Sequence, residues 1–206
     1  MHIADGFLSK ELLATGIAVS GFALFLAIKK IGREFSEKKI PLLGIMASFI
    51  FAIQLISIPV YGGTTVHLSG AILSVYLLGP FSSFVIIFTT LLLQTLLFQH
   101  GGVLSLGVNL FNLGVIPCLL GGLIFKTFRS KYSFLLLWFL AFLAPVLSAT
   151  FCAIELSISG LLPLPTAIIP MVVAHVISGF LEAILTVSIV KAIKYKRPDL
   201  LELNKI

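Results

Sequence analysis

Seven apolar runs, parted by short polar or turn-forming stretches, constrain this chain more than any other feature. A helix needs about 20 mainly apolar residues to cross a bilayer, and fewer where neighbouring helices cover its ends. Such runs cover residues 12–31, 40–58, 68–78, 81–98, 104–125, 133–152 and 168–193. The third and fourth meet at Gly79-Pro80, a helix-breaking pair that suits a tight turn. Read as one helix, their roughly thirty residues would overspan the bilayer even with tilt. Of 206 residues 59% are hydrophobic and 11% charged, where a soluble domain carries about 25% charged. The expectation is an all-α, polytopic membrane protein of seven transmembrane helices. No stretch rich in Pro, Ser or charge separates two cores. Residues 1–206 therefore read as a single integral membrane domain, with an N-terminal segment (1–11), a helix bundle (12–198) and a tail (199–206).

Basic residues set the expected orientation because they concentrate in cytoplasmic loops. Thirteen of the fourteen Lys and Arg fall on one side of a seven-helix arrangement, in the loop with Lys29, Lys30, Arg33, Lys38 and Lys39, the loop with Lys126, Arg129 and Lys131, and the tail. Only Lys10 falls on the other side. This puts the N-terminus outside and the C-terminus in the cytoplasm, and makes the formal charge of +6 a mark of topology rather than of nucleic-acid binding. Cys118 and Cys152 lie in apolar stretches without metal-type spacing and read as packing residues.

The same topology places His2, His67 in YGGTTVHLSG, His100 in FQHGG, and Glu155 on the outer side. Histidine is the commonest metal ligand, yet three on one side also fit interfacial polar residues or helix caps. The loop around His67 favours more than a plain connection. Gly62, Gly63, Thr64 and Thr65 lead into a short helix and Ser69 and Gly70 follow, which suits a loop folded inward to line a cavity.

The N-terminal MHIADGFLSK could be a frayed end, as most termini are. It could also be a chelator. No basic start, apolar core and cleavage site precede the first helix as a signal peptide requires, and His2 is too large to favour removal of Met1. The Met1 amine, the His2 backbone nitrogen and His2 Nδ1 can then bind one ion through fused five- and six-membered rings. A fourth nitrogen, from an imidazole such as His67, completes a square-planar set. That geometry is diagnostic of Ni(II) or Cu(II) and unfavourable for tetrahedral Zn(II); Co(II) could enter with altered geometry.

These residues also carry a family resemblance. MHIADGFLS, GGTTVHLSG and FQHGGVLSLGVNLFNLG resemble the CbiM/NikM family, the substrate-binding S components of energy-coupling factor (ECF) transporters for nickel and cobalt. The resemblance implies an N-terminal loop inserted into the bundle from outside, a metal set of Met1, His2 and His67, and Ni(II) or Co(II) as cargo. It implies partners: a transmembrane T component, cytoplasmic ATPase subunits and a small accessory membrane subunit, in the plasma membrane of a prokaryote. It also gives Asn109 and Asn112, three apart on one helix face, the task of holding the inserted loop, where residue chemistry alone suggests helix-to-helix hydrogen bonds. The family usually has a small residue before its His-Gly-Gly, where Gln99 stands here. His100 accordingly reads as a cap or a residue orienting a ligand, as do Ser69 and Thr64.

Other features have weaker claims. His175 and Glu182, seven apart, share a face of the last helix; ionisable groups at membrane depth suggest function, and contact with a helix neighbour or a partner is the first reading. Glu155 is expected to be solvated. Spacings of small residues on the first helix (Ala14/Ala18, Gly16/Ser20, Ala23/Ala27) permit close helix approach. No phosphate-binding Gly-x-x-x-x-Gly-Lys-Ser/Thr loop is present, so ATP-driven work falls to partners. The alternatives are an S component for an organic micronutrient, an intramembrane enzyme using His175 and Glu182, and a subunit that binds metal without transporting it.

Overall fold

The structure, a computed structural model, describes residues 2–34, 40–60 and 64–202. Each apolar run forms a helix. In chain order these are α1 (Lys10–Glu34), α2 (Ile40–Leu55), α3 (Ala71–Leu78), α4 (Pro80–Phe98), α5 (Leu106–Leu110), a π-helical stretch (Phe111–Leu120), α6 (Gly121–Ile158) and α7 (Leu164–Lys196). A single turn, α8 (Pro198–Glu202), follows. The protein is an all-α, polytopic membrane protein. Five helices among the described residues are long and apolar enough to cross a membrane: Lys10–Gly32, Pro80–Phe98, Leu106–Phe128, Phe134–Ile158 and Leu164–Lys196. With 16 and 8 residues, α2 and α3 reach only about 24 and 12 Å.

The expected helix over 40–58 is thus shortened. It stops at Leu55, and the chain enters an antiparallel hairpin of β1 (Ile58–Val60) and β2 (Thr64–Val66) that pairs Ile58 with Val66. Pro59 in β1 cannot continue a helix. The break at Gly79-Pro80 falls where the sequence puts it, with Gly79 at φ 83° between α3 and α4 and Pro80 opening α4.

Leu106–Phe128 is the most enclosed span, 72% buried against 17% for α1. Its π-helical stretch contains Pro117, which has no amide to close the usual helical bond. Ser148 Oγ donates to the Asn112 carbonyl at 2.5 Å across 36 residues, and the Phe111 and Phe151 rings meet at 5.7 Å. In a straight helix those residues would stand about 54 Å apart. The helical backbone therefore doubles back between Asn112 and Ser148.

On α1, Gly16, Ser20 and Ala27 are buried while Ala14 and Ala18 are exposed. Ser20 Oγ donates to the Gly107 carbonyl at 2.6 Å. A Cβ on Gly107 would strike the backbone of Gly16 and Ile17. The two helices touch main chain to main chain, and α1 thereby lies along the enclosed span that begins beside the site.

Glu155 corrects an expectation. The sixth helix continues to Ile158 rather than ending at Cys152, so Glu155 is only 8% exposed and accepts from Asn112 Nδ2 at 2.6 Å. A carboxylate at that depth needs a donor, and Asn112 supplies it.

Candidate metal site

The segment before α1 folds into one end of the bundle through its backbone. Ile3 N donates to Asn109 Oδ1 at 2.8 Å and Asn109 Nδ2 donates to the Ile3 carbonyl at 2.9 Å. Gly102 N donates to the same carbonyl at 3.0 Å. Asn109 thus meets both polar groups of Ile3, while the Ile3 side chain is 4% exposed in the core. Asn112, the other amide on that face, donates to Glu155 on α6, the helix-to-helix hydrogen bond that its residue chemistry suggests.

Asp5 makes a second attachment. Its carboxylate accepts from Val103 N at 2.9 Å and Ser105 N at 3.0 Å, and Ser105 Oγ lies between Asp5 Oδ1 (3.2 Å) and the Ala4 carbonyl (3.1 Å). These are free amides at the start of a helix, which take a carboxylate partner well. A Cβ on Gly102 would collide with the backbone and carboxylate of Asp5. Sequence reading missed Asp5, Ser105 and Gly102. The available signal was Asp5 in the quoted start together with a helix whose N-terminal donors had no acceptor nearby in sequence.

This anchoring brings three histidines together. Ring centroids lie 4.8 Å apart for His2 and His67, 4.2 Å for His2 and His100, and 6.5 Å for His67 and His100. Both ring nitrogens of His2, and Nε2 of His67 and His100, are buried without a hydrogen-bond partner. His67 Nδ1 faces the Leu68 carbonyl at 3.2 Å, which fixes the proton on Nδ1 and leaves a lone pair on Nε2. Burial holds His2 and His67 well below the usual histidine range, and His100 below it to a smaller extent. The rings are neutral and can donate to a metal. Among the described residues no three His, Cys, Asp or Glu side chains are arranged to hold a metal ion. Met1 lies outside the described residues, as do Gly62 and Gly63.

The His67 segment is pinned from two sides. Glu182 on α7 accepts from Ser69 N at 2.8 Å, from Gly70 N at 3.0 Å and from Ser69 Oγ. Gln54 Nε2 on α2 donates to the Ser69 carbonyl at 3.0 Å. Ser69 is therefore a pivot between α2, α3 and α7, two residues from His67. Gly70, at φ 66°, turns the chain from that pivot into α3 in a conformation that glycine adopts without strain. Thr64 enters as backbone of β2. His175, fully buried on α7, directs Nδ1 to the Met171 carbonyl at 2.7 Å.

Residues 2–200 match the family described as CbiM, cobalt uptake substrate-specific transmembrane region. The chain belongs to the CbiM family. A cobalt transport protein CbiM of Geobacter sulfurreducens is 34% identical over 98% of this chain and 61% of its own length. A fused nickel transport protein NikMN of Rhodobacter capsulatus is 26% identical over 98% of this chain and 64% of its own. This CbiM-family chain thus spans less than two thirds of those two relatives. A crystal structure of a transition metal transporter superimposes with a TM-score of 0.88 at 30% identity, covering 100% of this chain and 98% of that one. The CbiM family is one of transport components rather than enzymes, and this member is a multi-pass plasma-membrane protein.

Proposed function

We propose that this chain is the substrate-binding S component of an ECF-type importer and captures Ni(II), or alternatively Co(II), from the outer side of the membrane. The ion is cargo. Its donors are the Met1 amine, the His2 backbone nitrogen, His2 Nδ1 and His67 Nε2, in a square-planar set with the N-terminal segment (1–11) inserted into the bundle. The observation that carries this reading is the His2 ring, buried with both nitrogens unpartnered, 4.8 Å from His67, whose Nε2 is also unpartnered. A buried polar atom without a partner costs about 1–3 kcal/mol, and an arriving metal removes that cost.

The basic loops put the C-terminus in the cytoplasm, where ATPase subunits act, with a transmembrane T component and a small accessory membrane subunit as further partners. A chelate built on a separate segment can be dismantled by moving that segment. A partner that reorients the bundle can thereby release the ion inward. An intramembrane enzyme built on His175 and Glu182 is disfavoured because Glu182 is occupied by Ser69 and Gly70. Metal analysis of protein with a free N-terminus, with competition among Ni(II), Co(II) and Cu(II), tests the reading. One tightly held Ni(II) with the visible absorption of a planar complex supports it, and protein that takes up none of the three contradicts it.

A further inference from the structure

Two lysines stand without a counter-charge at the end of the bundle away from the histidines. Ser9 N donates to Ser159 Oγ at 3.0 Å, which puts the C-terminal end of α6 beside the N-terminal segment. Phe134, where the last apolar span of α6 begins, therefore lies toward the opposite face of the membrane. There Lys191 and Lys194 of α7 hold their ammonium groups 5.8 and 5.4 Å from the centre of the Phe134 ring, within reach of the attraction between a cation and an aromatic face. Both lysines are exposed. Among the described residues neither has a carboxylate partner, and Asp199, which follows them, is taken up by Arg197 at 2.8 Å. Like charges one turn apart repel, and an anion between them removes that repulsion.

An aromatic stripe leads from this pair into the membrane. Phe134, Trp138 and Phe142 recur every four residues and so share a face of α6. Trp138 and Phe142 stack at 5.6 Å, and Phe180 of α7 closes on them at 5.7 and 4.8 Å. Gly179 permits the approach, since a Cβ there would strike the Phe142 carbonyl. These rings are not sealed in the core: the three on α6 are half-buried and Phe180 is 46% exposed. From Phe134 to Phe142 the stripe rises about 12 Å, most of the roughly 15 Å of hydrocarbon in one leaflet. Trp138, one turn in from Phe134, is the ring type that settles near the headgroup boundary.

We propose that this surface binds one anionic phospholipid, with its phosphate between Lys191 and Lys194 and an acyl chain along Phe134, Trp138, Phe142 and Phe180. A phospholipid carries a negative group at the membrane boundary and hydrocarbon directly beneath it. That arrangement complements a pair of cations at the head of an aromatic stripe. By the topology that the basic loops indicate, the lipid belongs to the cytoplasmic leaflet, whose anionic headgroups attract basic segments.

Trp138 is the single tryptophan of the chain, so its fluorescence reads this surface alone. The full chain is placed in phosphatidylcholine vesicles, and phosphatidylglycerol or phosphatidylcholine with brominated acyl chains, which quench on contact, is titrated in. Brominated phosphatidylglycerol should quench Trp138 with an apparent affinity at least about fivefold above that of brominated phosphatidylcholine. Lys191→Gln combined with Lys194→Gln should bring the two lipids within about twofold of each other. Lys191→Arg combined with Lys194→Arg, which keeps both charges, should retain the preference. So should Lys29→Gln combined with Lys30→Gln, which removes the same charge from α1. Equal quenching by the two lipids in the unaltered chain overturns the proposal. A preference that survives the glutamines at Lys191 and Lys194 also overturns it, as does one lost equally with the glutamines on α1, the mark of a diffuse basic surface. Loss of the preference in the arginine variant would overturn it too, because the side chains would then matter for packing rather than for charge.

Discussion

Asn109 satisfies both main-chain groups of Ile3, accepting from its amide at 2.8 Å and donating to its carbonyl at 2.9 Å. One amide side chain from the most enclosed span thereby fixes the residue next to His2. The pairing reproduces what a neighbouring strand would provide, in a place where no strand is present.

Asn109→Ala should therefore weaken Ni(II) binding without unfolding the bundle. Two buried hydrogen bonds are lost and the Ile3 amide is left unsatisfied, while the Ile3 carbonyl keeps the Gly102 amide, a cost of about 2–4 kcal/mol. We expect affinity to fall about 30- to 1,000-fold in competition titrations, with the melting temperature of the metal-free protein reduced only slightly. Unchanged affinity would show that Asn109 does not hold the segment.

Asp5 and Gly102 should behave as a steric and electrostatic pair. Gly102→Ala forces a Cβ into Asp5, and Asp5→Ala leaves the amides of Val103 and Ser105 without their acceptor. Each should lower Ni(II) affinity at least about tenfold, and the double variant should be no worse than about the more severe single one, because both release the same contact. Hydrogen exchange at Ile3 and Ser105 reads the release directly.

Glu182 should control His67 from a distance. Glu182→Ala removes the acceptor for Ser69 N and Gly70 N, whereas Glu182→Gln keeps one oxygen able to accept. We expect the alanine variant to lose planar Ni(II) absorption or bind at least about tenfold more weakly, with the glutamine variant restoring part of the loss. Equal effects of the two variants would point to charge rather than hydrogen bonding.

Acid should release the ion in a characteristic way. Binding expels the His2 amide proton at all pH values, and also an amine proton below the ordinary amine pKa of about 7.7 to 8.0. Affinity should fall about tenfold per pH unit above that range and about 100-fold per unit below it. His2 and His67, held neutral by burial, add no third proton until the pH drops well below the usual histidine range. The folded-state pKa of each is depressed, so the unfolded chain binds more protons below about 6.5. Stability of the metal-free protein should accordingly decline as pH falls below that value and level off above it. Isothermal titration at several pH values and melting curves measure the two slopes.

The helices were legible because lipid demands continuous apolar runs, and their order and breaks follow the sequence closely at Gly79-Pro80. The end of α2 was not, because Ile56 and Ile58 are as apolar as a helix requires and only the pairing of Ile58 with Val66 shows that they leave it. Glu155 was misplaced for a related reason. Nothing local to it announces Asn112, 43 residues earlier. At the site, the approach of His2 to His67, 4.8 Å between ring centroids, was readable because the charge pattern puts both on one side of the membrane. Asp5, Ser105 and Gln54 were not read, because their partners are mostly main-chain groups far along the chain, and for Asp5 only a helix start without a local acceptor offered a signal.

The central claim concerns the terminal amine, and the most direct measurement is the visible spectrum of Ni(II)-loaded protein whose chain carries one alanine inserted between Met1 and His2. The account predicts that planar absorption disappears and that affinity falls at least about 100-fold, while a C-terminal tag changes neither. Planar absorption and affinity equal to those of the unextended chain would contradict it.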